Sequence, residues 1–260
     1  MDLRSQALAQ LEAGEEKPYL DEEADRDAAA GYYGDLDPEQ DGALAQLLER
    51  THRDRPPYNP ATELYPWVDL QPDRKIRSIY TQEEFDPKEL IEDAVRIEEQ
   101  RESLRVTAAS EAAVEELEPF NCEHVVCQSW FDHAEPMRGD LHHLFTCERK
   151  CNSFRGNAPY TDFPNYLEVV RESCGKRETD TFEPAAGKGA VARATFYFLL
   201  RYPAARPYSG EAIAVLLGWH ESEPVSEYER HRNAEIFERQ GNRNPLIDHP
   251  DWASRVAFSA

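Results

Sequence analysis

The chain has 260 residues, 40% of them hydrophobic, which is enough to bury a substantial core, and its formal net charge is −22. This excess of acid argues against a general electrostatic attraction to nucleic acid or anionic membranes, although it leaves room for a locally basic cleft. No apolar run reaches the roughly 18 residues of a membrane-spanning helix, and the first residues lack the apolar core of a signal peptide. We therefore expect no membrane contact and, by default, a cytoplasmic protein.

The acidic residues are concentrated in the first half of the chain. Residues 1–120 carry 31 Asp and Glu against 13 Lys and Arg, a balance of −18, whereas residues 121–260 carry 20 against 16, a balance of −4. We interpret most of this acid as a solvated surface. Residues 1–31 contain much Ala, Glu and Asp but few large apolar side chains. They are predicted to form an acidic N-terminal extension that is flexible or loosely helical.

Several segments have the spacing of apolar residues that is typical of helices. They are residues 43–53, a long segment that begins at Asp86 and Pro87, residues 187–203 up to Pro203, residues 211–220, and residues 224–241 up to Gly241. Residues 119–165 consist instead of short apolar runs broken by Gly, Pro and His, which favours strands and loops. The pattern predicts one mostly helical α+β domain over residues 32–260.

Residues that can carry out chemistry cluster in this central segment. Hydrolysis of a phosphodiester needs a base that activates water, positive charge that stabilises the phosphate, and a group that assists the leaving oxygen. His124 suits the base, because the pKa of histidine lies near neutrality. Glu123 and Asn152 offer a carboxylate and an amide oxygen, which are ligands that Mg²⁺ prefers. Arg155 supplies a positive charge near them in the sequence.

The spacing of these residues sets a condition on the fold. Neighbours in a regular strand point to opposite faces, so Glu123 and His124 reach one site only at a strand end or edge. Asn152 and Arg155 are three positions apart and would share one face of a helix. A strand, a loop, a second strand and a helix that carries Asn152 would satisfy both conditions.

At this level of detail the chain resembles the bacterial endonuclease I family, whose members are sugar-nonspecific nucleases with a ββα-metal (His-Me finger) site. The resemblance begins with EHVVCQSWF, MRGDLHHLF and CNSFRGN and continues through GAVARATFYFLLRY, WHESEPVSEYERHRNAEIFERQGNRNP and IDHP. These blocks occur in the order of the family and span residues 121–249, about half the chain. Many members have Pro where this chain has Cys127, and the loop before DLHHL is shorter here.

The resemblance implies a ββα-metal core at about residues 121–157 and a Mg²⁺-dependent, sequence-nonspecific endonuclease. In that case His124 is the general base, Glu123 and Asn152 hold the metal, and Arg155 acts on the phosphate. The substrate is expected to be DNA, perhaps also RNA, cut to leave 5′-phosphates, and the protein is expected to be a monomer.

Three further residues are implied to bind the substrate or shape the site, namely His142, Asn157 and Arg138. For His142, a buried and hydrogen-bonded structural role is an equal alternative. Whether Arg138 replaces the basic residue that longer members carry in the shortened loop stays open. The block that contains Gln240, Asn242 and Asn244 is expected to buttress the fold from the last long helix.

The five cysteines leave three alternatives. Cys147, Cys151 and Cys174 could form a structural Zn²⁺ site with either Cys122 or Cys127. A cytoplasmic chain would keep all five as thiols, whereas an exported one could form two disulfides with one thiol left over.

Two functions outside catalysis stay open. One is a nuclease fold that has lost turnover and acts as a nucleic-acid-binding or protein-interaction module. The other is a stress or defence protein in which residues 1–31 dock on a partner or mask the cleft as a mimic of DNA.

Overall fold

The computed structural model describes residues 2–104, 120–166, 173–205, 208–256 and 258. Within this part the chain has the predicted mixed architecture, with helices around three small antiparallel sheets of two strands each. Across the described residues, no helix combines the length and the apolar character that crossing a membrane requires.

Helices dominate both ends of the chain and the strands lie between them. The helices are α1 (Leu3–Glu15), α2 (Glu22–Tyr33), α3 (Ala43–Thr51), α4 (Pro60–Glu63), α5 (Pro87–Leu104), α6 (Arg149–Arg155), α7 (Lys188–Arg201), α8 (Gly210–Ser222), α9 (Glu227–Gln240) and α10 (Pro245–Asp248). The strands are β1 (Ile76–Arg77), β2 (Glu84–Phe85), β3 (Phe120–His124), β4 (Leu144–Glu148), β5 (Gly175–Glu178) and β6 (Thr181–Pro184). They pair as β1 with β2, β3 with β4, and β5 with β6.

The predicted helices of the second half are confirmed, because each has clear local signals at its ends. The last long helix, α9, begins at a capping box in which Ser226 and Glu229 bond to each other's backbone amides. It ends at Gly241, whose φ of 84° is in the left-handed region that favours glycine. The helix α7 is buried over most of its length, including the aromatic side chains of Phe196, Tyr197 and Phe198.

The N-terminal segment differs from the flexible alternative in our prediction. It forms α1 and α2, and Ala7 on α1 is fully buried in the same apolar cluster as Trp67. Tyr19, between the two helices, stacks on the ring of His231 in α9 at 4.1 Å between centroids. The few apolar residues of this segment are therefore enough to dock it. Removing residues 1–31 to test a masking role would expose this packed surface.

A buried carboxylate ties the central segment to the helices around it. Asp140 accepts hydrogen bonds from the hydroxyls of Tyr197 and Tyr202 and from the side-chain amide of Gln240. The block around Gln240 thus buttresses the fold as predicted, since Asn242 and Asn244 are also buried and hydrogen-bonded. His142, two residues beyond Asp140, bonds through Nε2 to the carbonyl of Asn242.

We expect this region to make the protein sensitive to acid. Burial lowers the pKa of His142 to about 4, so the unfolded chain takes up this proton before the folded one does. Stability is therefore lost as the pH falls below about 6.5, and the loss from this residue reaches about 2 kcal/mol at pH 5. Urea unfolding at pH 7 and at pH 5 measures this difference in the free energy of unfolding.

The histidine contribution must be separated from the falling net negative charge, which acts in the opposite direction. In His142→Gln the free energy of unfolding should depend less steeply on pH than in the wild type. The exposed His133 provides a matched control, because His133→Asn should leave the slope unchanged. Equal slopes in the wild type and His142→Gln would contradict the prediction.

Candidate active site

The central segment forms two antiparallel strands followed by a helix, as the sequence predicted. β3 pairs with β4 so that Glu123 lies opposite Phe145 and His124 opposite Leu144. His124 is the last residue of β3, which meets the condition that both neighbours reach one site at a strand end. The helix that follows β4, α6, carries Asn152 on the same cleft as Glu123 and His124.

The carboxylate of Glu123 is buried but keeps one oxygen unused. Its side chain is 1% exposed, and Oε1 accepts hydrogen bonds from the hydroxyl of Tyr80 at 2.8 Å and from Nη1 of Arg155 at 2.6 Å. Burial raises the pKa of this carboxyl, while the adjacent guanidinium opposes the rise. Within the described residues Oε2 makes no hydrogen bond and remains available as a ligand atom.

The imidazole of His124 is held in one tautomer by the backbone. Its Nε2 lies 3.0 Å from the carbonyl oxygen of Arg138. Because a carbonyl can only accept, Nε2 must carry the hydrogen, and the lone pair of the neutral ring is on Nδ1. The ring also stacks on Tyr58, with 5.2 Å between centroids. Burial lowers the pKa of His124 to about 3, so the ring is neutral at pH 7.

The side chain of Asn152 is oriented by the hydrogen bonds of its amide nitrogen. Nδ2 donates to Oδ1 of Asn121 at 2.6 Å and lies 3.4 Å from the carbonyl oxygen of Cys122. The nitrogen is thereby occupied, which leaves Oδ1 as the atom that can bind a cation. Asn121 and Cys122 are in β3, so α6 and the strand fix this orientation together.

The residues present fit a hard divalent cation. Glu123 Oε2 and Asn152 Oδ1 are both oxygen atoms without a protein partner among the described residues, and both residues line one cleft. Water and a phosphate would supply the other ligands, as is common for Mg²⁺. Within the same described ranges, no three His, Cys, Asp or Glu side chains converge on a metal-sized site. A metal at this place would therefore depend on the amide as well as the carboxylate.

Arg155 occupies a different position from the one we predicted for a residue that contacts phosphate. Its side chain is 1% exposed and donates through four N–H groups, to Glu123 and to the carbonyl oxygens of His124, Val125 and Ala158. A guanidinium has five such groups, so nearly all its capacity is used inside the protein. The structure gives Arg155 a positioning role that acts through Glu123 and the end of β3.

The remaining residues of the prediction divide between the cleft and the core. Arg138 and Asn157 line the cleft, which has a volume of about 790 Å³. His142 does not line it; the side chain is buried against Tyr197 and bonds to the carbonyl oxygen of Asn242. Of the two alternatives for His142, the structure therefore favours the structural one.

Three residues that shape the site were missed by sequence reasoning. Tyr80 holds Glu123, Asn121 orients Asn152, and Tyr58 stacks on His124. Asn121 lies two residues before the motif that begins at Glu123 and could have been found from its position in β3. Tyr58 and Tyr80 lie far upstream in the chain, where nothing in the local pattern marks them as neighbours of the site.

The cysteines adopt a mixture of the predicted states. Cys151 and Cys174 form a disulfide, whereas Cys122, Cys127 and Cys147 are buried free thiols. The disulfide and the alternative zinc site exclude each other, because both use the sulfurs of Cys151 and Cys174. The bond joins α6 to the residue that precedes β5, so it anchors the helix beside Asn152.

We expect loss of this disulfide to lower both stability and activity. In Cys151→Ser/Cys174→Ser the free energy of unfolding should fall by about 2–4 kcal/mol, since the unfolded chain gains freedom that the crosslink removes. Thermal unfolding with and without dithiothreitol measures the effect. Reductant should lower the Tm of the wild type but not that of the double variant. A wild-type Tm that is insensitive to reductant under denaturing conditions would contradict the prediction.

The known proteins that this chain resembles include several that are named as nucleases. The chain is 36% identical to an extracellular ribonuclease of Bacillus subtilis (strain 168) over 158 residues, which are 53% of this chain and 54% of that protein. It is 27% identical to an extracellular deoxyribonuclease of Aeromonas hydrophila over 121 residues, 45% of this chain and 52% of that protein. A periplasmic deoxyribonuclease of Aeromonas hydrophila is 28% identical over 117 residues, 43% of this chain and 48% of that protein.

The alignments cover about half the length of each of these relatives. A family model covers much more of the chain. The model described as endonuclease I matches residues 41–251, a range that contains the β3–β4 hairpin, α6 and the buttressing block around Gln240. This chain therefore belongs to the endonuclease I family.

Proposed function

We propose that the protein is a Mg²⁺-dependent, sequence-nonspecific endonuclease that hydrolyses phosphodiester bonds through a ββα-metal site. The observation that carries the proposal is the convergence of Glu123, His124 and Asn152 on one cleft, each with its ligand or base atom left without a protein partner in the described structure. The family and the names of the relatives support a nucleic acid as the substrate.

In this mechanism His124 accepts the proton of the attacking water at Nδ1, since Nε2–H is held by the carbonyl of Arg138. Tyr58 and that carbonyl keep the ring in place during attack. The water oxygen bonds to phosphorus in line with the leaving oxygen. The bond between phosphorus and the 3′ oxygen breaks, and the departing oxygen takes a proton from solvent water, which leaves a 5′-phosphate and a 3′-hydroxyl.

A divalent cation bound by Glu123 and Asn152 would neutralise charge on the phosphate and make water more acidic. Arg155 holds the carboxylate of Glu123 in place for this role. Arg138 lines the same cleft and, in the described structure, has no carboxylate within salt-bridge distance, so its guanidinium is a candidate for direct contact with phosphate. We therefore assign the electrostatic stabilisation of the phosphate to Arg138 instead of Arg155.

The relatives' names include ribonucleases and deoxyribonucleases, so both RNA and DNA should be tested as substrates. Their names place those proteins outside the cytoplasm, and the Cys151–Cys174 disulfide favours an oxidising compartment for this chain too. We propose export in place of the cytoplasmic location expected by default.

The decisive experiment incubates purified protein with supercoiled plasmid and with RNA, in Mg²⁺ and in EDTA. Cleavage of either polymer that requires the metal, with 5′-phosphate ends on the products, is the expected result. No cleavage across a range of divalent metals and salt, with binding retained, would favour the silent binding module instead.

A further inference from the structure

Two buried tyrosine hydroxyls form a hydrogen-bonded chain that ends at Glu123. The hydroxyl of Tyr80 donates to Oε1 of Glu123 at 2.8 Å, and the hydroxyl of Tyr160 lies 2.7 Å from that of Tyr80. Tyr80 gives its one hydroxyl hydrogen to the carboxylate, so its oxygen must accept the hydrogen of Tyr160. Both tyrosines are buried. Tyr160 is therefore the outer donor of a chain that is directed at the proposed metal ligand.

The ring of Tyr160 contacts the other donor to the same carboxylate oxygen. The guanidinium carbon of Arg155 lies 4.6 Å from the centre of this ring, and Nη1 of Arg155 donates to Oε1 of Glu123 at 2.6 Å. A guanidinium over an aromatic face is attracted to it, and the attraction is stronger where water is excluded. Tyr160 thus supports both donors to Oε1, one through its hydroxyl and the other through its ring.

The position of Tyr160 is set by elements outside the β3–β4–α6 unit. The backbone on both sides of it bonds to β6, where the N–H of Phe182 donates to the carbonyl of Pro159 at 2.9 Å and the N–H of Thr161 donates to the carbonyl of Phe182 at 3.0 Å. The ring also meets Trp219 of α8 edge-on, with 5.9 Å between centroids. Backbone and ring are both fixed in this way, which makes Tyr160 a rigid support.

We propose that Tyr160 is a positioning residue that fixes the carboxylate of Glu123 for metal binding, acting through Tyr80 and through Arg155. Both donors hold Oε1, so the orientation of the carboxylate is set while Oε2 stays available. Loss of the outer partners of a metal ligand typically costs about 10–100-fold in metal affinity or activity. The inference rests on the proposed function, because it concerns the cation of the same site.

Calorimetric titration of the full chain with Mn²⁺, without nucleic acid, tests this role independently of turnover. The binding assigned to the site is the part that Glu123→Gln removes. Tyr160→Phe keeps the ring but loses the hydroxyl, and we expect it to weaken this binding severalfold. Tyr160→Leu loses both contacts and should weaken it by on the order of tenfold to a hundredfold. In the background of Tyr80→Phe, Tyr160→Phe should have no further effect, because the chain of hydroxyls is already broken.

A matched control is Tyr33→Phe, which also removes a buried hydroxyl that donates to a carboxylate, that of Asp248. Neither Tyr33 nor Asp248 is among the residues that line the described cleft, so the affinity for Mn²⁺ should stay unchanged. Equal affinity in Tyr160→Phe and the wild type, or equal losses in Tyr160→Phe and Tyr33→Phe, would overturn the proposal.

The outcomes also separate this role from the nuclease function. Wild-type protein that binds Mn²⁺ through Glu123 but cuts neither polymer would refute the nuclease function and leave the role of Tyr160 standing. Metal-dependent cleavage together with unchanged Mn²⁺ affinity in Tyr160→Phe would refute the role of Tyr160 alone. Absence of any Mn²⁺ binding that depends on Glu123 would overturn both.

Discussion

His124→Ala is expected to lose roughly a hundredfold to ten-thousandfold in kcat for cleavage of plasmid or RNA, because a general base contributes roughly 10²–10⁴-fold to such a reaction. The loss should appear in kcat more than in KM, since Arg138 and Asn157 still line the cleft. Initial rates on a labelled strand at saturating substrate measure it. Added imidazole should restore part of the rate by occupying the space that the ring leaves.

Two controls keep this result interpretable. His124→Gln lacks the imidazole base and should be inactive. Its side-chain amide can still donate to the carbonyl of Arg138, so its Tm should stay close to that of the wild type. The exposed His133 lies nine residues further along the same segment, and His133→Asn should keep full activity. Activity of purified His124→Ala within about tenfold of the wild type would rule out the base role, given the contribution expected of such a group.

Arg155→Met is expected to reduce both stability and activity strongly. The change leaves the carboxylate of Glu123 buried without its counter-charge and leaves the carbonyls of Val125 and Ala158 without their donor. Breaking a buried ion pair in this way costs about 3–5 kcal/mol. Urea unfolding gives the stability, and the cleavage rate below the unfolding transition gives the activity.

A double-mutant cycle shows whether the loss of stability in Arg155→Met comes from the contact between Arg155 and Glu123. If Arg155 acts through Glu123, then Arg155→Met in the background of Glu123→Gln should cost much less stability than in the wild type. Lys150→Met, an exposed change on the same helix, should be nearly neutral. If instead Arg155 bound phosphate directly, Arg155→Met would raise KM and leave the Tm almost unchanged. That outcome would restore our sequence-based interpretation and contradict the structural one.

The difference between these two interpretations of Arg155 has a physical origin. Spacing along α6 correctly placed Arg155 on one helix with Asn152, but spacing does not reveal whether a side chain turns toward solvent or into the protein. The guanidinium turns inward because the end of β3 presents a carboxylate and backbone carbonyls that need donors. Unmet acceptors of this kind are visible only after the chain has folded.

The lining of the cleft also depends on distant parts of the chain. The acidic residues of α5 were interpreted from the sequence as solvated surface, and for most of them this holds. Asp93 and Glu98 face the cleft because the apolar residues of α5 pack on the β3–β4 hairpin. Residues 1–31, predicted to be flexible or loosely helical, contain helices that pack on the rest of the chain through Ala7 and Tyr19.

By itself the sequence determined the features that depend on neighbours along the chain. Helix periodicity and end signals defined α5, α7 and α9, and the order of motif blocks indicated the family and the pair Glu123 and His124. Only the tertiary structure decided which residues support Glu123 and His124, because the supporting contacts join positions that are far apart in the chain. Tyr80 reaches Glu123 across 43 residues, and the disulfide joins cysteines 23 residues apart. Such contacts are set by how the whole core packs, which no local pattern encodes.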